Sequence, residues 1–151
     1  PTVAKNTLNI PHPYTLKDAE SWIAQVKLKS HKYGQAYDFA IRQSGELIGG
    51  IGFHYKYGRD AHKDEIGYWL GVGFRGRGIA VKAIQALCVY GFKERPALMR
   101  IEAPVFSFNK ASQRALEKAG FLNEGTFRRY YLKGGQYIDA VIYSILRSDL
   151  K

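Results

Sequence analysis

The chain has 151 residues, the length of one domain that can bury about two-thirds of its surface. Hydrophobic residues at 46% and charged ones at 24% are the balance of a water-soluble globular protein. No apolar run approaches the ~18 residues that span a bilayer, and no secretory leader is read. The single cysteine, Cys88, excludes an internal disulfide framework and suits a reducing, cytoplasmic setting. The four histidines stand too far apart for a zinc site, so no metal is expected.

Lys and Arg number 23 against 13 Asp and Glu, a net +10 that favours anionic ligands. The charges are spread along the chain, which argues against a basic nucleic-acid-binding tail. Most aromatics fall at core spacings rather than as a stacking platform, so nucleic acid is not an expected partner.

In chain order, residues 1–14 read as irregular, punctuated by Asn6, Asn9, Pro11 and Pro13. Thr15, with Asp18 three residues on, can cap a helix whose apolar face is Leu16, Ala19, Trp22, Ile23 and Val26, ending near Lys29. Residues 37–42 and 47–55 form a predicted hairpin about Gln43-Ser44-Gly45-Glu46. A polar loop, 58–63, leads to a third strand at 65–70 and a glycine-rich stretch at 71–78. A helix from Ile79 ends near Phe92, before Arg95-Pro96. A strand at 99–105 precedes a helix capped by Asn109 and stopped after Ala119 by Gly120. Strands near 124–132 and 136–146 flank Lys133-Gly134-Gly135. The order α-β-β-β-α-β-α-β-β joins an antiparallel front to one βαβ crossover. The fold class is α+β, a mixed, mostly antiparallel sheet with helices on both faces, in one domain over 1–151.

Gly71-Val72-Gly73-Phe74-Arg75-Gly76-Arg77-Gly78 lies between a strand and a helix, where unpaired amides and the helix dipole favour phosphate. Arg75 and Arg77 add charge-assisted donors. The dinucleotide fingerprint fits in spacing but not in context, since no further βαβ unit follows and Glu102 lies inside its strand. The P-loop pattern fails because Arg77 and Gly78 stand where Lys and Ser/Thr are needed.

Arg75-x-x-Gly78-x-Ala80 resembles the cofactor loop of the GCN5-related N-acetyltransferases (GNAT). Glu65-Ile66-Gly67-Tyr68-Trp69-Leu70 is similar to that family's fourth strand. Asn109-x-x-Ser112 running into Glu117-Lys118-x-Gly120-Phe121 is similar to its second cofactor motif. Pro11-His12-Pro13-Tyr14-Thr15 with Asp18-Ala19-Glu20-x-Trp22-Ile23 resembles the RimJ/RimL-like ribosomal-protein branch. Against the family pattern, the chain is short of a first strand and helix.

The resemblance implies an acetyl-coenzyme A-dependent N-acetyltransferase acting in a ternary complex on a primary amine, a protein N-terminus among the candidates. It implies that Arg75, Gly76, Arg77, Gly78, Ile79 and Ala80 hold the diphosphate and that main-chain groups of Leu70, Gly71 and Val72 face the pantetheine. By the same resemblance Asn109 bonds that arm, Ser112 lies near the sulfur, and Lys118 belongs to the second cofactor motif. Glu65 is the expected base, since the resemblance places it beside the thioester and it opens an otherwise apolar strand. Many members carry a tyrosine acid four residues after the position of Ser112; here Leu116 stands there, leaving Ser112, water or no acid at all. Tyr14, His54, Tyr130 and Tyr131 are assigned to the acceptor cleft. A non-catalytic acyl-coenzyme A-binding or regulatory module is the alternative, and both monomer and homodimer stay open.

Overall fold

The computed structural model describes residues 2–54 and 60–150. Six strands form one sheet in the order β1-β2-β3-β4-β6-β5, where β1 is Asp38–Gln43, β2 Glu46–Phe53, β3 Lys63–Leu70, β4 Arg100–Phe106, β5 Leu122–Lys133 and β6 Gln136–Leu146. All neighbours are antiparallel except β3 and β4. Helices α3 (Ile79–Glu94) and α4 (Lys110–Ala119) pack on one sheet face, over Ile66, Ile101, Ala103, Val105 and Tyr143. The close approach of α3 to β2 depends on Gly91, where a Cβ would meet the Phe53 ring at 2.4 Å. Cys88 is buried in this core, and burial pushes its thiol up to about 12, so it serves as an apolar filler rather than a nucleophile.

Several elements match the sequence closely. The 43–46 turn joins β1 to β2 with Arg42 facing Leu47 and Gln43 facing Glu46. Helix α2 (Leu16–Tyr33) begins with a capping box, the Thr15 N–H donating to Asp18 Oδ2 at 2.8 Å and the Asp18 N–H to Thr15 Oγ1 at 3.3 Å.

Three expectations are corrected. The segment read as irregular opens with a short helix, α1 (Thr2–Asn6); the carbonyls of Ala4 within it and of Thr7 just after it accept from Lys133 Nζ. Thus a first helix is represented, while the sheet begins at β1. Helix α2 runs past Lys29 to Tyr33, because Gly34 supplies the left-handed stop at φ 69°. Its apolar face is not core: no residue of α2 is buried, and Leu16, Trp22 and Ile23 are exposed. The helix leans on β1 through its later residues, with Tyr33 edge-on to Tyr37 and Lys29 3.8 Å from Asp38. Finally, β3 starts two residues earlier than expected. The end of the second predicted strand, Tyr55, and the loop residues Gly58 and Arg59 lie outside the described residues.

Candidate active site

Strands β3 and β4 pair only at Lys63↔Arg100, Asp64↔Ile101 and Glu65↔Glu102. Beyond Glu65 both strands continue, β3 to Leu70 and β4 to Phe106, but they no longer bond each other. The sheet therefore splits at its centre, leaving one edge of β3 open to a ligand chain that needs main-chain partners.

The glycine loop lies at the end of the open stretch. Gly71 is fixed by its N–H to Ile48 O at 2.8 Å, and residues 72–74 make one 3₁₀ turn. Gly78 caps α3 in the left-handed region, at φ 75° and ψ 0°, a conformation that costs a side-chain-bearing residue about 1–2 kcal/mol. Having no side chain, it leaves the helix start uncapped. The amides of Gly78, Ile79 and Ala80 donate to no acceptor among the described residues, so three N–H groups at a helix N-terminus are available to an anion. Arg75 folds back, its Nε donating to Leu70 O at 3.1 Å, and so braces the loop as well as charging it. Arg77 is exposed over the Phe74 ring.

Across the split stands the start of α4. Asn109 caps it, Oδ1 accepting from the Ser112 N–H at 3.3 Å, which leaves the side-chain NH₂ as its group for a ligand. Ser112 Oγ shares a 2.5 Å hydrogen bond with the Tyr68 hydroxyl. Tyr68 thus ties the free half of β3 to α4 across the cleft. Burial pushes its phenol up to about 12, so it stays a protonated donor. This residue was missed in the sequence. The available signal was the alternation of β3, which puts Asp64, Ile66, Tyr68 and Leu70 on the helix-covered face. Leu116, in place of a tyrosine acid, is fully buried core. Lys118 is exposed six residues beyond Ser112, about 9 Å along the helix axis.

The opposite face carries the titratable groups. Glu65 Oε1 lies 3.1 Å from His54 Nδ1. Burial, and after it the Glu65 charge, raises the phenol of Tyr131 on β5, and Tyr130 packs edge-on to Tyr131 at 4.8 Å. Glu102, the parallel partner of Glu65, is already neutralised by Arg100 Nε at 2.7 Å. Arg100 also forks onto Glu124, whose carboxyl is held down at about 2 by that guanidinium and by the Ser144 hydroxyl. Of the two central carboxylates, only Glu65 faces an imidazole. Asp64 points the other way, buried against Arg95 at 2.5 Å. The structure thus brings Glu65, His54 and Tyr131 together; exposed Tyr14 joins none of them by a contact among the described residues. Among those residues no group of three His, Cys, Asp or Glu side chains is placed to hold a metal, and no helix is long and apolar enough to cross a membrane.

A split mixed sheet, an open helix N-terminus beside the split and an acidic group on the far face make a cleft with the parts that acyl transfer needs. Residues 1–122 match the family model for the acetyltransferase (GNAT) domain, and the chain belongs to that family. It is 38% identical over 120 residues to the uncharacterized N-acetyltransferase YoaA of Bacillus subtilis, covering 80% of this chain and 67% of that protein. It is 30% identical over 121 residues to the ribosomal protein uS5-alanine N-acetyltransferase of Escherichia coli, covering 79% of this chain and 62% of the other. A RimL ribosomal L7/L12 α-N-protein acetyltransferase solved in complex with coenzyme A superposes with a TM-score of 0.77 at 25% identity, over 92% of this chain and 77% of that one. The reaction of this fold and family is transfer of an acetyl group from acetyl-coenzyme A to an amine, and the chain is a RimJ/RimL-like N-acetyltransferase domain.

Proposed function

We propose that this chain acetylates a protein N-terminal α-amine by direct transfer, with the donor on the helix side of the split sheet and the acceptor on the Glu65 side. The observation that carries this reading is the parting of β3 from β4 immediately before an uncapped helix start. The donor supplies an activated acetyl thioester; everything else is positioning and charge. The amides of Gly78, Ile79 and Ala80, with Arg75, Gly76 and Arg77, grip the diphosphate. Main-chain groups of Leu70, Gly71 and Val72 and the Asn109 amide bind the pantetheine. Lys118 adds positive charge on the same side, at the far end of α4. Ser112, positioned by Tyr68, donates its hydroxyl proton to the sulfur as the thiolate departs.

The Glu65 side assists deprotonation of the amine. An α-amine of pKa 7.7–8.0 costs only about 1 kcal/mol to deprotonate at pH 7, whereas a lysine near 10.4 costs about 4.6 kcal/mol. A carboxylate–imidazole pair with the imidazole half-exposed is matched to the first task. Tyr131 and Tyr130 wall the acceptor cleft, with Tyr14 as a more distant contributor. The cytoplasm is the compartment this reading implies, where Cys88 stays a thiol.

The experiment is calorimetric titration with acetyl-coenzyme A, followed by thiol release with three acceptors. These are a peptide with a free N-terminus, the same peptide blocked there but carrying lysine, and a polyamine. Turnover confined to the free N-terminus is expected. Binding without transfer to any of the three would overturn the reading.

A further inference from the structure

His54 directly follows β2, and its main-chain N–H donates to Glu65 O at 2.8 Å, so the two residues stand side by side across β2 and β3. Their side chains meet on the acceptor face, His54 Nδ1 to Glu65 Oε1 at 3.1 Å. A neutral imidazole that donates through Nδ1 presents a bare lone pair at Nε2. Nε2 lies over Gly67, where a Cβ would come within 3.0 Å of it. Gly67 is two residues beyond the last β3–β4 pair, so Nε2 sits where the strands have begun to part. The imidazole is also the more open of the two groups, its side chain 56% exposed against 19% for Glu65.

We propose that His54 is the base that takes the acceptor's proton, with Glu65 orienting the ring and stabilising the imidazolium. This rests on the acetyl-transfer reading above. One ammonium N–H bond breaks as the Nε2–H bond forms. The freed electron pair makes the new C–N bond at the thioester carbonyl, and the C–S bond breaks with its pair on sulfur. The second amine proton, released as the amide forms, neutralises the thiolate through Ser112. The imidazolium returns its proton to water on its exposed side.

The surroundings suit the role. The hydrogen bond to Glu65 is the largest influence on His54 and raises it above the ordinary imidazole value, against partial burial. Asp64 on β3 adds to that rise, and Lys29 on α2 opposes it. Asp38 on β1 also faces His54, its own carboxyl pushed up by burial, and Tyr131 on β5 faces Glu65. A histidine raised in this way favours the imidazolium that forms when Nε2 takes the proton.

The test is kcat/KM against pH with the free-N-terminus peptide, alongside calorimetric coenzyme affinity and a melting curve for each variant. His54→Gln is expected to lose about 100-fold or more in rate and to keep only the acidic limb set by the acceptor amine itself, with coenzyme affinity unchanged. Glu65→Gln still accepts from Nδ1–H; it should lose less and move the limb set by His54 to lower pH. Gly67→Ala, which crowds Nε2 without touching either group's chemistry, should lower kcat and leave coenzyme affinity intact. An inactive Glu65→Gln beside a His54→Gln within a few-fold of wild type would overturn the proposal and make the carboxylate the base. Full activity in both variants would remove the pair and leave the acetyl-transfer reading standing. A wild-type protein that transfers to no amine would end both.

Discussion

Replacing Gly78 with glutamate tests the cofactor cradle with separable effects. The residue sits at φ 75°, and nothing lies within 4 Å of a Cβ built there, so the protein itself does not clash. What remains is backbone strain of about 1–2 kcal/mol, which for a domain of this size lowers Tm by about 2–8 °C. The effect on the donor is different in kind. A carboxylate about 5 Å from the diphosphate costs about 1 kcal/mol in a water-like dielectric and about 3 kcal/mol at an effective value of 20. That is about 5-fold to more than 100-fold in Kd, before the bulk of the side chain is counted. Gly78→Ala shares the strain and lacks the charge, so it should melt like Gly78→Glu yet bind more tightly. Calorimetry with acetyl-coenzyme A and parallel melting curves separate the two. A Gly78→Glu protein that melts lower as expected but binds with wild-type affinity would show that these amides do not hold the diphosphate.

Asp64→Ala leaves the Arg95 guanidinium buried without its carboxylate, and urea unfolding should show a loss of about 3–5 kcal/mol. A loss below about 1 kcal/mol would mean that Arg95 escapes to solvent. Tyr68→Phe keeps the ring but frees Ser112; a several-fold fall in kcat with KM for the donor unchanged is expected in steady-state kinetics, and an unchanged kcat would dismiss the positioning role. For His54 the sign follows from a folded-state pKa raised above 6.5. Its contribution to stability is fully present below about pH 6.5 and is lost as pH rises through the folded value. The stability difference between wild type and His54→Gln, measured by urea unfolding, should therefore shrink between pH 6 and pH 9. A difference constant with pH would contradict the pairing with Glu65.

Local chemistry made much of the fold legible. The Thr15–Asp18 box, the Ser44-Gly45 turn, the Asn109 cap and the Gly120 stop are each decided within four residues, and each stands where the sequence puts it. The glycine loop belongs to the same class, because an uncapped helix start is a property of Gly78 and its neighbours. Periodicity at α2 found the helix but not its surroundings. Its apolar spacing shows which residues share a face, whereas burial needs a neighbouring layer, and among the described residues none covers Leu16, Trp22 or Ile23.

The residues that give the site its chemistry were of the other kind. Glu65 and Asn109 could be named from the chain, but their partners could not. His54 reaches Glu65 only through the β2–β3 register, and Tyr68 meets Ser112 from 44 residues away. Arg95 finds Asp64 from 31 residues away. The amino-acid sequence by itself set the elements, the family and the uncapped glycine loop, since these depend on backbone preferences over short spans. Tertiary structure alone decided which carboxylate keeps a titratable partner and which is silenced. Arg100 settles beside Glu102 and His54 beside Glu65 only once β2, β3 and β4 lie in register, and a charge's environment is a matter of distance in space.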